Sequence, residues 1–341
     1  MTIAVISSLS GQINLGEKLK NNAPTSVEKL SVSVEDHLGN RAEMPIGIVK
    51  GKEKGQVFTI VAGVHGYEYP PIMAVLEVLQ EINPQNLKGD LLFLPIANTP
   101  SFYGRSPFVN PQDKINLNRT FPGKKDGTIT ERMAHFITNE VIPVSDVFLD
   151  IHGGDANGDL VPFVCYYDNP KKPQQTEMAR QLSEVSDFDI VVSYPYNLSD
   201  TEPTLYAFKQ AVQNGKIAFS FEAGKLGGVQ RDAVDLIKKG IYNILSELGM
   251  YADNQANKIR ENKIRLNNQA YVKAEHQGIL YSDLKAGDEV KKGQKVAEIR
   301  TIFGEILTEL KAPESGIILY KIGTPPVNIG ETIMCISYKE N

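Results

Sequence analysis

The chain contains no tryptophan, only two cysteines, and no apolar run approaching the roughly 18 residues that a membrane-spanning helix needs. Its cysteines, Cys165 and Cys335, lie far apart without metal-type partners beside them. They read as buried thiols and imply no disulfide framework. A basic excess is missing too. The 36 Lys and Arg stand against 41 Asp and Glu, a net charge of −5 mixed along the chain. That excludes the positive face of a nucleic-acid partner. The amino terminus, MTIAVISSLSG, lacks the basic segment and long apolar core of a signal peptide. The expectation is a cytoplasmic protein, with export after removal of a leader as the alternative.

What remains is an ordinary globular composition, 41% apolar and 23% charged, in 341 residues that accommodate two domains. KLSVSVEDHLGN alternates like a strand and ends in a turn at His37–Asn40, with MPIGIVKG as its hairpin partner. VFTIVAG then reads as a strand buried on both faces. PPIMAVLEVLQEI has helical periodicity, with prolines where a helix start tolerates them. Further strands (LLFLPIAN, VFLDIH, FVCYY, FDIVVSY, KIAFSFEAG) are interspersed with helices (TERMAHFITNEVI, EMARQLSEV, TLYAFKQAVQ, AVDLIKKGIYNILSELG). This predicts an α/β domain over residues 1–252, built around a largely parallel sheet. Residues 253–269 are polar and read as a linker or crossing segment. Residues 270–341 hold short β-rich pieces between Gly- and Pro-marked turns, which predicts a small β-barrel or sandwich.

Four ionisable residues fall at strand ends. His65 and Glu68 lie in GVHGYE after VFTIVAG, His152 lies in DIHGG, and Glu222 lies in FEAG. Open α/β sheets bind ligands outside the carboxyl ends of their strands, so three strands deliver these groups to one edge. Two histidines and a carboxylate form a catalytic zinc set with a fourth position open to water. Bound zinc lowers the pKa of that water and polarises a carbonyl. A second carboxylate, Glu222, is then placed to take the water proton and pass it to a leaving nitrogen. Gly63 and Gly66 flank His65 and permit unusual backbone angles. His37, His135 and His276 stand in a turn, on a helix and in the β region, and read as structural. A second cluster, GRSPFVNPQDKINLNRTFPG (104–123), is a long loop whose Arg105, Asn118 and Arg119 suit a carboxylate. The competing reading is a solvated surface loop.

GVHGYE, NLNRTFPG, DIHGG and FEAG, in that order, resemble the succinylglutamate desuccinylase/aspartoacylase family, a branch of the zinc carboxypeptidase superfamily. The motifs span about residues 40–250, and family members carry a β-domain after them. The resemblance implies a zinc-carboxypeptidase-like mixed sheet flanked by helices. It implies one Zn2+ per chain on His65, Glu68 and His152, with Glu222 as general base and acid. Arg105 would polarise the scissile carbonyl, and Asn118 and Arg119 would hold the substrate carboxylate. An arginine that the family's aspartoacylase-like members carry shortly before the catalytic glutamate has no counterpart here. Lys209 and Lys216 are the substitutes on offer, though lysine lacks the guanidinium fork. Tyr67, Tyr69, Tyr103, Tyr194 and Tyr196 are candidates to line a pocket for a less acidic group. The C-terminal LKAGDEVKKGQKVAEI and LKAPESGIILY are similar to biotinyl/lipoyl-type barrels. The expected hairpin tip, RTIFGEILTEL, lacks the modified lysine, so no lipoylation or biotinylation is expected.

The expectation is a zinc-dependent hydrolase that cleaves the amide of a small N-acyl amino acid. A carboxypeptidase or peptide-trimming amidase would use the same residues, and a non-catalytic metal or small-ligand binding protein is the third reading. The partner expected is a small molecule, with a homo-oligomer open. A His/His/Glu set accepts several divalent ions.

Overall fold

The computed structural model describes residues 8–9, 13–21, 23–251 and 262–340. Val27–Glu35 (β2) and Arg41–Lys50 (β3) form the expected antiparallel hairpin. At its turn Asp36 accepts N–H bonds from Leu38 and Asn40. With Ser8–Leu9 (β1) they edge a ten-stranded sheet. Its other members are Glu53–Ala62 (β4), Lys88–Leu94 (β5), Val147–His152 (β6), Phe163–Asp168 (β8), Ile190–Pro195 (β9), Ile217–Glu222 (β10) and Ile264–Leu266 (β11). The spatial order is β1-β2-β3-β5-β4-β6-β10-β8-β9-β11.

Helices cover both faces, and that is why the central strands are buried without alternation. Tyr69–Glu81 (α2), Pro173–Val185 (α5) and Arg231–Glu247 (α7) pack on one side, with Phe58, Ile60, Leu149 and Phe219 beneath them. Leu15–Asn21 (α1), Ile129–Phe136 (α4) and Ala207–Gln213 (α6) pack on the other, over Val61, Leu92 and Phe148. A short helix, Thr99–Gly104 (α3), follows β5. Fully burying one such side chain contributes about 1.5–3 kcal/mol.

The sheet is mixed, as the resemblance implies, and six of its nine pairings are parallel. Strands β5, β4, β6 and β10 run parallel, whereas β8 runs antiparallel to β10. Strand direction depends on the connection, and an apolar run does not report it. The predicted helix 130–142 stops early: α4 ends at Phe136, and Ile137–Val141 continues as a wider π turn. Of the segment read as a linker, residues 252–261 lie outside the described residues. Most of the rest is strand: β11 pairs with β9, and the next strand starts at Asn268. Polar residues suit this position because β11 lies at the sheet edge and is largely exposed.

The C-terminal region is all β among the described residues. Asn268–Lys273 (β12), Thr332–Tyr338 (β19), Gly316–Ile322 (β17) and Glu289–Val290 (β14) make one sheet. Ile306–Lys311 (β16), Lys295–Arg300 (β15), Gly278–Tyr281 (β13) and Pro326–Val327 (β18) make a second. Val272, Ile299, Ile318 and Ile336 belong to a core of their own. A three-residue strand from the first region, Gly158–Leu160 (β7), pairs with β17 and ties the two regions together just beyond β6. No helix among the described residues is long and apolar enough to cross a membrane.

Candidate active site

Because β4, β6 and β10 are parallel, their carboxyl ends share one edge. Glu222 and His152 are register partners, so their side chains leave the same face side by side. Beyond β4 the chain turns at Gly63, whose φ of +66° favours glycine. Gly66 serves differently from the expectation: a Cβ there would lie 2.1 Å from the Phe102 nitrogen, so it is close approach that demands glycine. Glu68 stands at the N-cap of α2 but caps nothing with its side chain, which leaves the carboxylate free and the helix dipole in its favour. Pro70 and Pro71 follow in the first turn.

The side chains of His65, Glu68 and His152 converge. His65 Nδ1 lies 2.8 Å from Glu68 Oε1, and His152 Nδ1 lies 2.9 Å from Oε2. Their ligand atoms all fall within 4.8 Å of one another, and all three residues are buried. The far nitrogen of each ring faces an acceptor: Asn116 Oδ1 at 3.1 Å from His65 Nε2, and Asp150 Oδ2 at 3.1 Å from His152 Nε2. Such partners hold the Nε2–H tautomer and leave Nδ1 with its lone pair. Lone pairs of two imidazoles and a carboxylate then point at one spot, an arrangement that repels itself unless a cation sits there. Burial opposes charge on Glu68, but the two imidazoles outweigh it and hold the carboxyl down at about 2. Burial likewise opposes charge on His152, yet Asp150 and Glu68 raise its proton affinity well above the ordinary value. The donor set therefore demands positive charge, and its composition fits a zinc-type dication with one position open.

Glu222 faces the same space. Burial, reinforced by Glu68 and Asp150 and opposed by His152, pushes its carboxyl up to about 8. That is the direction expected of a group that exchanges protons near neutrality. Cys165, across from Ser220, lines the cavity but is no nucleophile, because burial and then Glu222 raise its thiol well above the ordinary range. Both cysteines are free and buried, as the sequence implies.

A cavity of about 420 Å³ opens from these residues. Asn118 and Arg119 reach it from the turn Leu117–Arg119. Asn118 is braced: its carbonyl accepts the Ala207 N–H. Arg119 stacks 4.6 Å over the Tyr206 ring and donates to the Asn118 carbonyl. Arg105 is not brought into the cavity. It caps α3 in a left-handed conformation (φ 47°) with its side chain exposed. Lys216 donates to the Pro143 carbonyl, away from the site. Lys209 is half-buried over the Tyr167, Tyr196 and Tyr206 rings.

Of the five tyrosines proposed from sequence, Tyr194 lines the cavity and Tyr103 is 77% exposed. The sequence reading missed Tyr167, Tyr206, Tyr271 and Tyr320, which line it instead. It also missed Asp150 and Asn116. Asp150 carries its own signal, a carboxylate two residues before His152 on the same face of an otherwise apolar strand. Tyr271 and Tyr320 come from the C-terminal sheet, which closes the cavity where β17 meets β7. His37 and His276 are exposed, and His135 contacts Asn139 on α4.

A helix-flanked mixed sheet with this His-Glu-His group, a facing glutamate and a small cavity has the architecture of a hydrolytic enzyme. Residues 54–248 match the succinylglutamate desuccinylase/aspartoacylase catalytic domain, and the chain belongs to that family. One relative is the N-alpha-acetyl-L-2,4-diaminobutyric acid deacetylase of Halomonas elongata. It is 31% identical over 317 residues, which cover 91% of this chain and 90% of that one. Two solved structures share the fold. A succinylglutamate desuccinylase/aspartoacylase from Rhodobacter sphaeroides is 21% identical at a TM-score of 0.82, covering 94% of this chain and 98% of the other. The product-bound ectoine utilization protein EutE (DoeB) from Ruegeria pomeroyi is 22% identical at 0.82, covering 93% and 98%.

Proposed function

We propose that the protein is a zinc-dependent deacylase of small N-acyl amino acids. The observation that carries this is the convergence of His65 Nδ1, His152 Nδ1 and the Glu68 carboxylate beside Glu222, in the wall of a small cavity. His65, Glu68 and His152 hold the metal, with Asn116 and Asp150 fixing the two rings. Bound zinc supplies Lewis acidity and a water acidic enough to attack near neutral pH. Glu222 would accept the proton of the attacking water and deliver it to the leaving nitrogen, for which its raised proton affinity suits it. Arg119 and the amide of Asn118 hold the substrate carboxylate at the Tyr206 end. Arg105 is the resemblance's candidate to polarise the scissile carbonyl, and its exposed side chain stands outside the cavity.

A volume of about 420 Å³, closed by Tyr271 and Tyr320, suits a short acyl amino acid better than a peptide. This favours a deacylase over a carboxypeptidase. The Halomonas deacetylase acts, by its name, on a substrate of that size. A panel of N-acyl amino acids and tetrapeptides, offered to the zinc-loaded protein, tests the reading. Turnover confined to the acyl amino acids is expected. Faster release from the tetrapeptides would replace it with the carboxypeptidase reading.

A further inference from the structure

We infer that two copies of this chain pair through the outer edge of the second C-terminal sheet, β16 against β16, antiparallel about a twofold axis at Thr308. Strand β16 ends that sheet and pairs only with β15 among the described residues. Its far side carries unpaired N–H and C=O groups, the template on which another strand adds. The opposite end of the sheet, β18, is two residues long and offers no such length. Edges are usually protected by charge, and the hairpin leading into β16 does the reverse. Its tip is rigid: the Thr301 N–H donates to the Glu305 carbonyl at 2.8 Å, and the Thr301 hydroxyl accepts the N–H groups of Phe303 and Glu305, each at 3.2 Å. Yet this tip holds Ile302 80% and Phe303 86% exposed, and Ile306 and Leu307 follow, also exposed. The four side chains present roughly 400 Å² of apolar surface, a size at which a patch is often functional. Main-chain pairing along β16 adds to this, towards the roughly 800 Å² per partner of a standard interface.

The occupant is a second copy because the strand complements its own reverse. An axis at Thr308 sets Glu305 opposite Lys311 of the second copy and Ile306 opposite Leu310 of the second copy. The twofold repeats both pairs on the other side of the axis. Residues directly opposite share a face, so acid meets base and apolar meets apolar. Glu305 and Lys311 stand in no ion pair among the described residues, whereas Glu309 between them is already held by Lys295 at 2.6 Å. Ile306 is covered by the flank of Leu310, whose own side chain belongs to the β-region core. Beyond the strand end, Phe303 comes opposite Pro313 of the second copy. A slip of one residue in either direction would set Ile306 against Glu309 or Lys311 and leave Glu305 without its base.

Sedimentation of the full chain from about 0.1 to about 50 µM tests this. The wild type is expected to be a dimer in that range. Phe303→Asp should raise the dimer dissociation constant by about tenfold or more, because it places a charge in the apolar part of the interface. Glu305→Lys and Lys311→Glu should each raise it by about tenfold, since the twofold turns every reversal into two repulsions. Combining Glu305→Lys with Lys311→Glu should restore it to within about threefold of the wild type, because the exchanged charges again face their opposites. All three positions are exposed, so the variants are expected to keep the fold, checked by circular dichroism. A wild type that stays monomeric overturns the inference, whatever else the tip binds. A dimer that tolerates Phe303→Asp also overturns it, and so does one that the double exchange weakens as much as the single reversals do.

Discussion

Asp150→Asn should weaken zinc binding without removing any atom that touches the metal. The carboxylate is fully buried and stands 3.1 Å from His152 Nε2 as an ion-pair partner, with neither oxygen in a hydrogen bond among the described residues. Its effect is therefore delivered through the imidazole, whose basicity at Nδ1 it raises. Removing the charge while keeping the shape should cost 10- to 100-fold in zinc affinity, or about 1.4–2.8 kcal/mol. Competition with a chromogenic chelator measures this directly. The same 1.4–2.8 kcal/mol should disappear from the extra stability that a fixed excess of zinc confers, because only the folded state binds the metal. An affinity within twofold of the wild type would refute the role assigned to Asp150, and with it the tautomer argument for His152.

Glu222→Gln should retain zinc and lose 10²-fold or more in kcat, followed with any substrate the panel identifies. The same variant tests the titration of Glu222. Its folded carboxyl, pushed up to about 8, lies above the unfolded value near 4.5, so the metal-free protein loses stability as pH rises between those limits. The full shift corresponds to about 5 kcal/mol, which the open cavity side discounts to roughly 2. Urea unfolding of metal-free protein at pH 5 and pH 8.5 should show that loss in the wild type and not in Glu222→Gln. Gly66→Ala should cost more than about 2 kcal/mol and abolish zinc binding, since its Cβ would clash with the Phe102 backbone that braces the His65 loop. Arg105→Ala should lower kcat far more than it raises KM; a change in KM alone would make it a rim residue that meets only the ground state.

The grouping of His65, Glu68, His152 and Glu222 was legible because strand ends are. An apolar run that stops at His-x-x-Glu, another at Asp-Ile-His and a third at Phe-Glu mark the edge of a sheet in the sequence itself. Direction was not legible: FVCYY reads the same whether β8 runs with β10 or against it, and it runs against. Residues 264–266 look like linker because an edge strand needs no apolar face. The aromatic wall was hidden for another reason. Tyr271 and Tyr320 lie far from His152 in sequence and reach the cavity only because β7 pairs with β17, a contact that no local pattern records. Arg105 shows the reverse limit. Its motif context suggests catalysis, yet its side chain is exposed at the end of α3.

The central claim is that His65, Glu68 and His152 bind one catalytic zinc ion. Elemental analysis of protein purified without added metal, beside His152→Ala, tests it most directly. The account predicts close to one zinc per wild-type chain, less than a tenth of that in the variant, and activity that a chelator removes and zinc restores. A wild-type chain that neither retains zinc nor gains activity when zinc is supplied would contradict it.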